Sequence, residues 1–300
     1  MLTLFPFNLN GNYIYFIAKS GHDVSYLLRA NVSNPLNPSL DQEYKILVGE
    51  DYIESVLLPT RGKLIYYENS KVKITDIKNP ESNPISLDVS ESHVVLRSCG
   101  NDCFYIYDDS GSLKEFDGTG NKTAEYQLKA FFEGCDSRYL FSTINKNYLP
   151  VFCKNESENH LLLINLSKQP RIVDKLTING KVYFDNFNFN GNLMAIHIND
   201  RESKTSTVQI FSIEKSGKLK LLKSFNFNQE LEFILPTKDY VFAIPRYNKY
   251  EILVLNSNNG NLIAEIPLRS YFSSILHLPD GKLLVGERGT VEIIDPFLIH

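Results

Sequence analysis

Tryptophan is absent from this chain, methionine occurs twice, and cysteine occurs four times in 300 residues. Without tryptophan, no motif that specifies an indole can be present. Four cysteines at this length do not make a disulfide scaffold. They are also poorly placed for zinc, because Cys99 and Cys103 form one close pair around "GND" while Cys135 and Cys153 do not form a second. Free thiols are the expectation, and with them a reducing intracellular compartment, cytoplasmic or nuclear. The sequons "NVS", "NKT", "NES" and "NLS" point the other way, but an Asn-rich chain carries such triplets by accident. Positive charge is not in surplus: 31 Lys and Arg face 35 Asp and Glu, a formal net charge of −4. Phosphate binding needs a clustered positive field, so no direct nucleic-acid contact is expected. No apolar run approaches the ~20 residues that cross a bilayer. The opening "MLTLFPFNLNGNYIYF" has no basic leader and is broken by Pro6, Asn8, Asn10 and Gly11. Membrane insertion is not expected.

What the chain does contain is a repeat. "FNLNGN" at 7–12 returns as "FNFNGN" at 187–192. Between and beyond these copies, apolar segments alternate with short Pro, Asn or Gly turns, as in "LLPTRGKLIYYE" and "LHLPDGKLLVGE", which is a β-hairpin pattern. A third strand follows each hairpin. Its ends fall at Asp76, Asp117, Asn165, Ser212, Asn256 and Asp295, at intervals of 41, 48, 47, 44 and 39 residues. A more polar fourth strand follows, as in "KTAEYQL", "RIVDKLTI" and "KLKLLKSF". Four strands in such a period is the signature of a propeller blade. The expected fold is all-β: a seven-bladed β-propeller of four-stranded antiparallel blades, with inner strands starting near 2, 52, 93, 137, 181, 230 and 272. Inner strands such as "KLIYY" and "VFAI" are apolar throughout, as strands covered on both faces should be. Lys218, Lys220 and Lys223 read as guards of an exposed outer edge.

The third-strand endings resemble those of WD40-type propellers, whose strand closes on apolar-x-apolar-Trp-Asp. "VKITD" and "VEIID" keep that pattern without the tryptophan, and "LPDGK" before "LLVGE" is similar to the family's first hairpin. The resemblance covers nearly the whole chain. No Gly-His dipeptide opens a blade, so the family's hydrogen-bonded tetrad does not carry over, and TolB-like propellers share the remaining features. The resemblance implies a platform for protein–protein interaction.

Chemistry is sparse. Ser20, His22, Asp23 and Ser25 stand together in "SGHDVS", but neighbours on a turn point apart, whereas triad members meet from distant positions. No G-x-S-x-G elbow is present. "NSNNGN" at 256–261 lacks the aspartates and terminal glutamate of a calcium loop. His93, His197 and His277 lack paired spacing and read as packed or rim residues. No catalytic residue, metal site or cofactor is expected. The alternatives are an enzyme with polar residues gathered around a central channel, or a small-ligand sensor domain.

Function therefore falls to the surface. The long connections "KNESENH" and "NDRESKTST" join second to third strands, and "KAFFEGCDS" opens on the same expected face. They nominate Lys154, Glu156, Glu158, Arg201, Glu202 and Lys204 as a partner site. "NVSNPLNPSLDQE" and "KNPESNP" extend the opposite face. The last blade reaches its third strand, "TVEIID", and lacks an outer one, which leaves Val291, Ile293 and Ile294 on an open edge suited to strand addition. The expected protein is a noncatalytic scaffold in a larger intracellular assembly. Residues 1–300 are read as a single propeller domain, the N-terminal domain of a longer protein.

Overall fold

The computed structural model describes residues 2–5, 13–19, 25–31, 39–49, 55–58, 60–79, 82–89, 94–108, 110–144, 147–155, 158–179, 182, 186–278, 281–287 and 290–297. Regular structure in them is β, apart from one short 3-10 turn, Lys129–Phe132. The strands are ordered consecutively in six four-stranded sheets and one three-stranded sheet. The first comprises β1 (Leu2–Phe5), β2 (Tyr13–Lys19), β3 (Ser25–Asn31) and β4 (Ser39–Gly49). The second holds β5 (Ser55–Leu58), β6 (Lys63–Glu68), β7 (Lys71–Asp76) and β8 (Ile85–Asp88). In the third are β9 (Val94–Ser98), β10 (Cys103–Asp108), β11 (Ser112–Asp117) and β12 (Lys122–Gln127). The fourth has β13 (Ser137–Leu140), β14 (Tyr148–Lys154), β15 (Asn159–Asn165) and β16 (Arg171–Ile178). Then come β17 (Phe187–Asn190), β18 (Leu193–Asp200), β19 (Thr205–Ile213) and β20 (Leu219–Phe227). They are followed by β21 (Leu231–Pro236), β22 (Tyr240–Pro245), β23 (Glu251–Asn256) and β24 (Leu262–Pro267). The last sheet has three strands: β25 (Phe272–His277), β26 (Leu283–Glu287) and β27 (Thr290–Ile294).

The chain forms two compact units, residues 7–177 and residues 178–300 with 1–6. Within each, consecutive sheets pack face to face. In the first unit, Leu58, Ile65 and Ile74 meet Leu96, Phe104 and Ile106 in one core, and Tyr105 and Leu113 meet Leu149, Leu162 and Ile164 in the next. In the second unit, Val208 and Ile210 pack on Ile234, Val241 and Leu253, while Phe242, Ile252 and Val254 pack on Ile275, Leu283 and Val285. Second strands are covered on both faces, so β10, β14, β22 and β26 are buried almost throughout. Fourth strands alternate polar and half-exposed, as in β12 and β20, with Lys220 and Lys223 on the latter.

The repeat anticipated these boundaries closely. Third strands end at Asp76, Asp117, Asn165 and Asn256, and within one residue of Ser212 and Asp295. "FNFNGN" is the whole of β17 and its turn, where Gly191 takes a φ of +58°. The matching "FNLNGN" lies outside the described residues, as do Ser20, His22, Asp23 and His93. Residues 39–43 belong to β4 and not to a long connection.

The cysteines overturn the expectation of free thiols. Cys99 is bonded to Cys103 and Cys135 to Cys153, with Cα separations of 5.2 and 5.4 Å that suit a disulfide. The second pair is 18 positions apart in sequence. Spacing concealed it because strand pairing creates it: Asp136 N–H donates to the Lys154 carbonyl at 2.8 Å and Arg138 stands opposite Cys153. The inference of a reducing compartment rested on free thiols and goes with them. No helix among the described residues is long and apolar enough to cross a membrane.

Candidate interaction surface

In the unit formed by 178–300 with 1–6, one end of the β17–β20 and β21–β24 sheets carries a continuous polar seam. Asn199, near the end of β18, accepts from Leu231 N–H at 3.0 Å through Oδ1, and its amide donates to the Leu231 carbonyl at 2.8 Å. The buried Ser206 hydroxyl also accepts from Leu231 N–H at 3.0 Å and lies 2.8 Å from the Gln229 carbonyl. These bonds fix the start of β21 against the loop between β18 and β19. That loop, Arg201–Lys204, is exposed at every position. Asp200 caps it, accepting from Glu202 N–H at 3.0 Å and Ser203 Oγ at 2.7 Å.

The seam continues through Glu230, which is 3% exposed. Its Oε1 accepts from the Tyr247 hydroxyl at 3.2 Å, its Oε2 lies 3.7 Å from the Arg246 guanidinium, and its backbone carbonyl accepts from Arg246 N–H at 2.9 Å. His197 is buried close by. Burial and the Arg246 charge push its imidazole down to about 4, so the ring is neutral at physiological pH.

The connection between β22 and β23 is the most exposed aromatic segment at this end. Tyr247 is 77% exposed and Tyr250 56%, and Tyr271, on the connection into β25, is 43% exposed. Tyr250 and Tyr271 meet edge to face, with centroids 5.9 Å apart. Lys249 Nζ lies 5.3 Å from the Tyr271 ring centre and 2.6 Å from Glu232 Oε1. Two backbone bonds pin the segment, from Leu268 N–H to the Tyr250 carbonyl at 2.7 Å and from Phe272 N–H to the Lys249 carbonyl at 2.9 Å. The tyrosines are thus exposed and held. Further along, Glu287 is fully buried and accepts from Ser270 N–H. Burial raises its carboxyl above the ordinary range, against that hydrogen bond.

Of the nominated residues, Arg201, Glu202 and Lys204 lie at the same end as this seam. Lys154 and Glu158 belong to the other unit, Lys154 as the last residue of β14 and Glu158 on the connection to β15, where its Oε2 lies 3.3 Å from His160 Nε2. Glu156 lies outside the described residues. Sequence reasoning missed Tyr247, Tyr250 and Tyr271 and read "KNESENH" and "NDRESKTST" as the long connections, although strand residues make up much of both and leave only 155–158 and 201–204 between strands. The usable signal was two tyrosines inside the connection 246–250, which is longer than the connections 155–158 and 201–204 in the neighbouring sheets.

In the unit of 7–177, a cavity of about 280 Å³ is lined by Asp108, Lys114, Val94, Ile106 and Phe116. Its polar groups are already used, since Lys114 Nζ holds Asp108 at 2.7 Å and Asp108 accepts from Ser112 N–H. A second, smaller cavity carries Cys99, Cys103 and Glu115.

No protein-family model matches the sequence, and no curated protein matches it. Solved structures do. The β-propeller domain of Cps50 (Swd1) from Myceliophteria thermophila is similar with a TM-score of 0.65 at 14% identity, over 97% of this chain and 94% of that one. The WD40 domain of Toxoplasma gondii coronin gives 0.60 at 13% identity, over 94% and 77%. A Kuenenia stuttgartiensis hydrazine synthase chain gives 0.63 at 14%, over 98% and 94%. The fold is a β-propeller of antiparallel blades, four-stranded except for the last sheet. At these identities the likeness speaks for the fold alone, which scaffolds and enzymes share.

Proposed function

We propose that the chain is a noncatalytic protein-interaction scaffold, a subunit of a larger assembly, with the three-stranded sheet as the seventh blade of a single propeller. The observation that carries this reading is the tyrosine segment 247–271. Tyrosine supplies large contact area at little entropic cost, and segments already pinned lose less on binding. Exposed Tyr and Arg are also the residue types that dominate binding energy at interfaces. Arg201, Glu202 and Lys204 extend the proposed contact. Lys154, Glu156 and Glu158 are proposed as a further contact of the same kind, and the outer edge of β27 at Val291, Ile293 and Ile294 as a place for an added strand. WD40-domain likeness supports protein partners, and the hydrazine synthase likeness keeps the enzyme reading as its rival. Affinity capture of the tagged chain from native lysate, with mass spectrometry and stoichiometry, separates them. A stoichiometric protein partner is expected. A lone monomer that retains a small molecule or turns one over contradicts the proposal.

A further inference from the structure

We propose that, once reduced, Cys99 and Cys103 form with Glu115 a binding site for one thiophilic divalent cation, of which zinc is the type. The three donor atoms already lie within 4.8 Å of one another and line a cavity of about 210 Å³ in the unit of residues 7–177. Two thiolates and a carboxylate are a donor set zinc accepts, with the fourth tetrahedral position left open to the cavity.

The Cys99–Cys103 crosslink has little structural work to do. It spans only four positions across the β9–β10 turn, and Cys99 N–H already donates to the Cys103 carbonyl at 3.1 Å. Stabilisation from a disulfide grows with the loop it closes, and this turn is closed by its own backbone. The Cys135–Cys153 bond, by contrast, fastens a connection to β14 across 18 positions. Cys103 is partly exposed while Cys99 is fully buried, so a reductant has one sulfur to attack.

Glu115 is held as a metal-ligating carboxylate is held. Thr123 Oγ1 donates to its Oε1 at 2.9 Å, the Tyr126 hydroxyl lies 3.4 Å from Oε2, and Tyr105 also hydrogen-bonds to it. Such outer partners orient a ligand and tune the metal. Asp117 also lines the cavity but is committed to its own turn, accepting from Thr119 Oγ1 at 2.7 Å and Asn121 N–H at 3.0 Å. Arg61 lines the same cavity. Its charge and that of a divalent cation together offset the three negative charges of the donor set.

The chemistry balances. An external dithiol attacks Cys103 Sγ, Cys99 leaves as thiolate, and a second attack releases Cys103. Two electrons and two protons pass to the cysteines, and the reductant departs as its own disulfide. Binding the cation then expels both thiol protons to solvent.

The test uses the full chain, either air-oxidised or reduced with a phosphine, equilibrated with zinc and assayed by elemental analysis. Cobalt(II) is bound in parallel to read thiolate-to-metal charge transfer. The reduced chain should hold one metal ion and the oxidised chain none, a comparison that needs no mutation. Cys103→Ser should lose the ion, Cys135→Ser should keep it, and Glu115→Gln should weaken it by roughly tenfold or more with an unchanged far-ultraviolet circular dichroism spectrum. Equal metal in oxidised and reduced chains, meaning an adventitious ion only, overturns the proposal. So does binding that survives Cys103→Ser or is lost in Cys135→Ser, and so does undiminished affinity in Glu115→Gln.

Discussion

His197 shows how a single side chain can set the pH range of the fold. Buried on β18, its ring is held neutral, with its pKa pushed down to about 4 by burial and by Arg246. The unfolded chain restores the ordinary value of about 6.5. Between those values the unfolded state binds more protons than the folded one, so stability rises with pH across that window and is lost as pH falls through it. His197→Gln carries no titrating ring. Urea melts at pH 4.5 and 6.5 should differ less in this variant than in the unaltered chain, and an equal difference would remove His197 as the cause. Gly260 is constrained by geometry instead. Its φ is +73°, and an added Cβ would stand 2.2 Å from Phe225 Cδ2. Gly260→Ala should cost roughly 2–3 kcal/mol from left-handed strain and the shift of a buried ring. A melting temperature equal to that of the unaltered chain would refute it.

At the scale of elements, strand boundaries were legible because turn residues and apolar alternation are local properties. "VKITD" ends at Asp76 in sequence and in structure alike. Strand register and side-chain exposure leave no such local trace, which is why the Cys135–Cys153 bond and the exposed tyrosine segment were not legible. Two predictions belong here. On the loop between β18 and β19, reversing Arg201 and Glu202 should weaken binding of the captured partner while the melting temperature stays within a few degrees, as exposed positions allow. Unchanged affinity would take this loop out of the contact. The second concerns β27. Leu253, Val254 and Leu255 in the third strand β23 are buried, whereas Glu292, Ile293 and Ile294 in β27 are only half-buried. Among the described residues, β26 is its one pairing partner. Lysine is the residue that natural edges use to refuse an incoming strand. Ile293→Lys should therefore reduce assembly, read by light scattering with the partner present, and undiminished assembly would reject strand addition there.

For the molecule as a whole, repetition explains why fold and function are so unequally legible. A repeating blade multiplies every weak signal of strand and turn, so the architecture emerges from patterns that carry little information one at a time. A binding surface is written once, in side chains that converge only after folding. The central element of the proposed surface is Tyr247, Tyr250 and Tyr271, positioned by Glu230, Lys249 and the backbone bonds at Leu268 and Phe272. The most direct test is calorimetric titration of the purified partner into the unaltered chain and into a Tyr247→Ala, Tyr250→Ala, Tyr271→Ala variant of matched melting temperature. The triple variant should bind at least about tenfold more weakly, a loss of about 1.4 kcal/mol or more. Equal dissociation constants for the two chains would contradict the assignment of this surface.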